Sequence, residues 1–120
     1  MDYNKWIVSF MDGWKNRDID AVMKTISNDC KYYESAFKEP CKDVNEIKFL
    51  WEVVPLNQKD INYSYEIILE NDKYCIVNFL IERTLIPSLI IQKIDGIFLI
   101  SLNQDGLCKY FKQWRSIKEE

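Results

Sequence analysis

The segment that most constrains this chain is residues 90–118, IIQKIDGIFLISLNQDGLCKYFKQWRSIK. Two apolar, aromatic-rich runs flank Asn103-Gln104-Asp105-Gly106, and an Asp-Gly step between strand-like runs is a strong short-range hairpin signal. These runs predict the two long final strands of a sheet. Whatever precedes them must cover it, because a sheet with an apolar face is stable only when another layer packs on that face.

Upstream periodicity supplies the cover. In residues 3–14, Tyr3, Trp6, Ile7, Phe10, Met11 and Trp14 recur at three- and four-residue steps, the pattern of an amphipathic helix. Asp18 can cap a second helix that buries Ile19, Val22, Met23 and Ile26 and is stopped by Ser27-Asn28-Asp29. Residues 30–37, CKYYESAF, read as a short strand broken by Lys38-Glu39-Pro40. Asp43 then caps a third helix carrying Val44, Ile47, Leu50 and Trp51, which Pro55 ends. After Asn57 the period becomes two: Ile61, Tyr63, Tyr65, Ile67 and Leu69 alternate with polar residues, as in a half-buried strand. Asn71-Asp72 turns this strand into another over residues 74–85, and Pro87-Ser88 precedes the final hairpin. Helices followed by four long antiparallel strands predict an α+β fold in a single domain over residues 1–120, with the helices on one sheet face.

Composition narrows the function. With 48% hydrophobic and 29% charged residues and a net charge of −3, the chain reads as a folded domain rather than a disordered one. Basic residues are scattered among acids except for Lys109, Lys112, Arg115 and Lys118, which alternate with Cys108, Tyr110, Phe111 and Trp114; that fits one polar strand face, and no nucleic-acid partner is expected. Residues 1–14 carry an acid and interrupting polar residues, unlike a signal peptide, and no apolar run approaches the roughly 20 residues of a membrane span. A soluble, cytoplasmic protein without membrane contact is expected. Cys30, Cys41, Cys75 and Cys108 are widely spaced and there is no histidine, so no metal site, no cofactor and no histidine-dependent nucleophile is expected. Catalysis would rest on carboxylates, tyrosines, lysines or water. The seventeen aromatics must line a core, a cavity or an interface.

Apolar residues occupy successive positions in the central strands: Ile76, Val77, Phe79, Leu80 and Ile81, then Ile97, Phe98, Leu99 and Ile100. Strands apolar on both faces need cover on both, and helices cover one. A homodimer through the outer sheet face is the expected remedy.

The order of elements, together with Arg17-Asp18-Ile19-Asp20-Ala21-Val22, Asn28-Asp29-Cys30, the strand before Glu39-Pro40, Val44 and Ile47 of the third helix, and the closing N-Q-D-G and Q-W, resembles the superfamily of nuclear transport factor 2, the SnoaL-like polyketide cyclases and the ketosteroid isomerases. The resemblance covers nearly the whole chain and implies a cone-like, curved antiparallel sheet with three N-terminal helices on its concave face, in the cystatin-like class. It also implies an apolar pocket. In a gapless alignment the isomerases' general base falls on Glu34, their oxyanion-hole tyrosine on Phe10, and their protonated second acid at or near Phe98. Neither phenylalanine can donate a hydrogen bond, so steroid isomerisation as those enzymes perform it is not implied.

The function that follows is a small-molecule pocket that binds a mostly apolar compound, with catalysis left open between isomerisation, cyclisation and hydrolysis. Glu34 is the candidate general base, since a carboxylate set in an apolar pocket loses hydration and becomes a better base; an exposed strand acid is the alternative. Tyr32, Trp51, Tyr65, Asn78, Glu82, Phe98 and Phe111 are the candidate ligand contacts. Asn78 and Glu82 share one face of their strand, and the sequence leaves open which. The competing function is a non-catalytic interaction module whose aromatics fill the cone.

Overall fold

The computed structural model describes residues 2–120. The chain runs α1 (Tyr3–Lys15), α2 (Ile19–Met23), β1 (Ile26–Tyr33), α3 (Val44–Glu52), α4 (Val54–Asn57), β2 (Gln58–Glu70), β3 (Cys75–Leu85), β4 (Ile91–Leu102) and β5 (Cys108–Glu119). The five strands form one sheet in the order β1-β5-β4-β3-β2. β2 to β5 pair antiparallel, whereas β1 joins the edge parallel to β5.

Local chemistry sets the helix starts. Aspartate carboxylates accept the free backbone N–H groups of the first turn: Asp2 from Lys5 at 3.0 Å, Asp18 from Ala21 at 3.1 Å and Asp43 from Glu46 at 2.9 Å, an arrangement typically worth about 1 kcal/mol per helix. The final hairpin closes as expected. Asn103 Oδ1 accepts from the Asp105 and Leu107 backbone N–H groups at 2.9 and 3.0 Å, and Gly106 takes φ +78°, which glycine adopts without steric cost.

Two boundaries differ from the expectation. α2 stops at Met23, and Ile26 through Asp29 open β1 instead of ending the helix. The cause is tertiary: the Cys108 N–H donates to the Thr25 carbonyl at 2.8 Å and Ile26 pairs with Cys108, so the ladder to β5 claims this stretch from a helix of only five residues. Pro55 does not end α3; it sits in the first turn of α4, where a missing N–H costs nothing. A register shift between Ile67 and Leu69 also turns Leu69 outward, to 60% exposure, although simple alternation predicts it inside.

Strand alternation divides the sheet into two faces. Val77, Phe79, Ile81 and Arg83 of β3 point inward beside Phe98, Gly96, Ile94 and Gln92 of β4. The helices cover this face, and α1 is tied to β2 by Tyr63 and Tyr65, whose hydroxyls donate to Asp12 and Asn4, both at 2.8 Å. Outward point Ile76, Asn78, Leu80 and Glu82 of β3, opposite Leu99, Ile97, Asp95 and Lys93. The central strands are therefore apolar on both sides over part of their length. Among the described residues no helix is long and apolar enough to cross a membrane.

Phe79 and Phe98 stack with ring centroids 4.0 Å apart, and this requires Gly96 opposite Phe79. A Cβ at position 96 would lie 2.5 Å from the Phe79 ring and 2.6 Å from the Trp114 carbonyl oxygen. Gly96→Ala should therefore lower the free energy of unfolding by about 1–3 kcal/mol, the usual cost of overpacking, as read from urea denaturation; a change below about 0.5 kcal/mol would show that the stack yields freely.

Candidate functional site

The aromatic residues of the three layers meet inside the cone. The Phe10 ring of α1 lies 4.8 Å from Trp6, 5.3 Å from Trp51, 5.5 Å from Phe111 and 5.8 Å from Phe98. These side chains fill the apex. Toward the mouth a cavity of about 240 Å³ remains. Its apolar wall includes Phe10, Trp14, Leu50, Trp51, Phe98 and Phe111, and its polar wall Tyr32, Glu34, Gln58, Arg83, Gln113 and Arg115. A larger groove of about 580 Å³ crosses the outer sheet face between Leu80, Asp95 and Ser116 on one side and Glu82, Lys93 and Lys118 on the other. Solvent-exposed charges flank it, and the convergence of buried polar groups makes the cone cavity the candidate site.

Tyr32 is buried at 2% exposure and stacks on Phe111 at 4.5 Å. Its hydroxyl accepts from Trp51 Nε1 at 3.1 Å, which leaves the phenolic proton for an acceptor in the cavity. Burial pushes the Tyr32 phenol far above its ordinary range, so it is a neutral donor at physiological pH. Glu34 follows the end of β1, where its backbone carbonyl accepts from Gln113 Nε2 at 2.7 Å. Its carboxylate sits at the mouth, 30% exposed and 3.3 Å from Lys38 Nζ.

Of the residues expected at the site, the structure brings together Tyr32, Glu34, Trp51, Phe98 and Phe111. Tyr65 is on the inner face but points to α1. Asn78 and Glu82 stand on the outer face and do not line the cone: Asn78 Nδ2 donates to Asp95 at 2.7 Å and to the Gly96 carbonyl at 2.9 Å, and Glu82 lies 4.0 Å from Lys93. The reason is alternation, since Phe79 and Ile81 take the inward positions between them.

Sequence reasoning passed over Arg83, Gln58, Gln113 and Arg115. Arg83 is 8% exposed, and its Nε and Nη2 both donate to Gln92 Oε1, at 3.0 and 2.9 Å. Burial, and then the neighbouring charge of Arg115, lower its pKa to about 10, so it remains charged near neutral pH. Gln58 is fixed by accepting from Trp14 Nε1 at 2.9 Å. Among the described residues no group of three or more Cys, His, Asp or Glu side chains is placed to hold a metal ion.

No family model and no curated protein matches the chain. Solved structures match it over nearly its whole length. The epoxide hydrolase/cyclase-like enzyme SalBIII, which acts in pyran ring formation in the polyether salinomycin, aligns with a TM-score of 0.81 at 13% identity, over 95% of this chain and 92% of that one. The Δ5-3-ketosteroid isomerase of a Mycobacterium species aligns at 0.79 and 8% identity, over 96% and 97%. A computationally designed 17-OHP binder gives 0.79 at 9%, over 98% and 97%. The chain has the nuclear transport factor 2-like, SnoaL-like fold: a curved, unclosed five-stranded sheet around helices. At these identities the likeness defines the fold and leaves the activity to the site.

Tyr32→Phe should cost about 1–3 kcal/mol at neutral pH, because it strands the buried Trp51 N–H. The cost should shrink in alkali. Above the ordinary phenol value of 10.0 the unfolded chain loses the Tyr32 proton while the folded chain keeps it, so this group's contribution falls by up to about 1.4 kcal/mol per pH unit. Urea unfolding under reducing conditions at about pH 8 and about pH 11 checks this; a gap between wild type and variant that stays constant would contradict it.

Proposed function

We propose that the chain is a small-molecule pocket protein that binds a mostly apolar compound in the cone and, with Glu34 as general base, isomerises, cyclises or hydrolyses it. The observation that carries this reading is the cavity itself, whose lining joins an aromatic wall to the Glu34 carboxylate and the neutral Tyr32 phenol, two residues apart in the chain. A base and a donor bordering one cavity are what proton abstraction next to a carbonyl or ring opening requires. The volume is below the roughly 300–1,000 Å³ of common ligand sites, which favours a compact ligand over a four-ring one. Isomerase- and cyclase-like proteins among the structural neighbours support the reading. The free cysteines, three of them buried, suit a reducing cytoplasm.

Ligand binding should raise the melting temperature by mass action, and a broad library of small apolar compounds without one such shift would count heavily against the pocket. For any compound that binds and carries an acidic C–H, solvent deuterium should wash into that position in the native protein and at least about a hundredfold more slowly in Glu34→Gln. Undiminished exchange in that variant removes Glu34 from the base role.

The outer face favours a second element of this reading, a homodimer. Leu80 and Trp114 are 45% and 40% exposed, with half-buried Ile97 beside Trp114 and half-buried Ile76 and Leu99 in the next row of the sheet. A two-fold axis through this patch lets it meet its own copy, and about 800 Å² per subunit is an ordinary interface. The same surface would serve the alternative, a non-catalytic interaction module. Light scattering after size exclusion should give about twice 14.4 kDa, and Leu99→Glu, which puts a charge on the outer face, should halve the mass or cause aggregation; a monomeric native chain sinks the dimer.

A further inference from the structure

Arg83 is a feature of the cavity that an apolar ligand does not explain. It is an inward residue of β3, 92% buried by the complement of its 8% exposure. An arginine so placed normally faces a carboxylate, because a buried charge without a counter-charge is costly. Among the described residues no Asp or Glu oxygen lies within 4.0 Å of its guanidinium. Its acceptor is the neutral amide oxygen of Gln92. The nearest acid along this chain of contacts is Glu119, held off by the intervening amide, since Gln92 Nε2 donates to Glu119 at 2.9 Å.

Guanidinium carries five N–H bonds. Gln92 takes one from Nε and one from Nη2, and the other three, including both on Nη1, have no partner among the described residues. Arg83 forms part of the cavity wall, as does Arg115, so two cations adjoin this space. The acid there, Glu34, is already balanced by Lys38 at 3.3 Å.

We propose that the ligand of this cavity carries a carboxylate, which docks on the open edge of the Arg83 guanidinium while its apolar body lies against Phe98 and Phe111. This rests on the reading of the cone as a small-molecule site and names the chemical class that the site selects. Gln92 holds Nε and Nη2, fixing the plane of the fork and turning its free edge to the ligand, and a fork held in place is suited to two parallel bonds to one carboxylate. Arg115, more exposed at the mouth, draws the anion in and partly compensates its charge. The depressed pKa of Arg83 is consistent with a site whose counter-ion arrives with the ligand.

The test uses two probes of one shape and different charge, 3-phenylpropionate and 3-phenylpropanamide, titrated calorimetrically into the full chain. The acid should bind at least about tenfold more tightly than the amide, the effect of a charge-assisted hydrogen bond. In Arg83→Gln that preference should fall to about one, with amide affinity changed less than about twofold. If this variant does not fold, the unaltered protein still decides: the Arg83 Nε–Hε NMR resonance should move on saturation with the acid and stay in place with the amide. Amide binding equal to or tighter than acid binding, an acid preference that survives Arg83→Gln, or an unmoved Arg83 resonance overturns the carboxylate while the pocket stands. Binding of neither probe up to its solubility limit overturns the carboxylate as the selected group, while the pocket itself stands or falls by the melting-temperature library.

Discussion

The structure depends on one ring. Phe10 touches Trp6 on its own helix, Trp51 on α3, Phe98 on β4 and Phe111 on β5, so a single side chain joins the helical layer to two neighbouring strands of the sheet. Its contacts to Trp51 and Phe98 are edge-to-face, at 86° and 90°, the arrangement that opposes positive ring edge to negative ring face. Removing a buried ring of this kind typically costs about 3–5 kcal/mol. Position 10 is devoted to packing.

That choice shapes the cavity. Aromatics fill much of the interior, and the remaining free volume is bordered by Arg83 near the end of β3, by Gln113 and Arg115 of β5 and by Glu34, just after β1. Among the described residues no buried side-chain nitrogen or oxygen atom lacks a hydrogen-bond partner. The Glu34 carboxylate enters from the loop after β1, whereas Arg83 and Arg115 of the cationic wall enter from β3 and β5.

Much of this was legible in the residues. The three- and four-residue spacing from Tyr3 to Trp14, the aspartates at 18 and 43 and the Asn103–Gly106 turn act through local geometry, and local rules find them. The start of β1 was not legible, because Ile26 satisfies a helical face as well as a strand, and only its pairing with β5, some eighty positions away, decides. Of the site, alternation was the informative signal. Val77, Phe79 and Ile81 as inward residues carry Arg83 inward with them and turn Asn78 and Glu82 out, yet a charged residue at the end of an apolar series reads as the strand leaving the core. That its charge has no acid beside it is a property of the packed molecule alone.

The placement of the indoles makes the protein optically addressable. Trp14 and Trp51 stand edge-to-face at 5.4 Å, each with its N–H fixed to a partner and each on the cavity wall, a rigid chiral pair suited to a strong near-ultraviolet circular dichroism signal. Trp114 lies on the opposite side of the sheet, with Lys112 Nζ 5.2 Å from its ring centre. Occupancy of the cone and contact at the outer surface therefore perturb different chromophores, and the two events can be followed separately in one unlabelled sample.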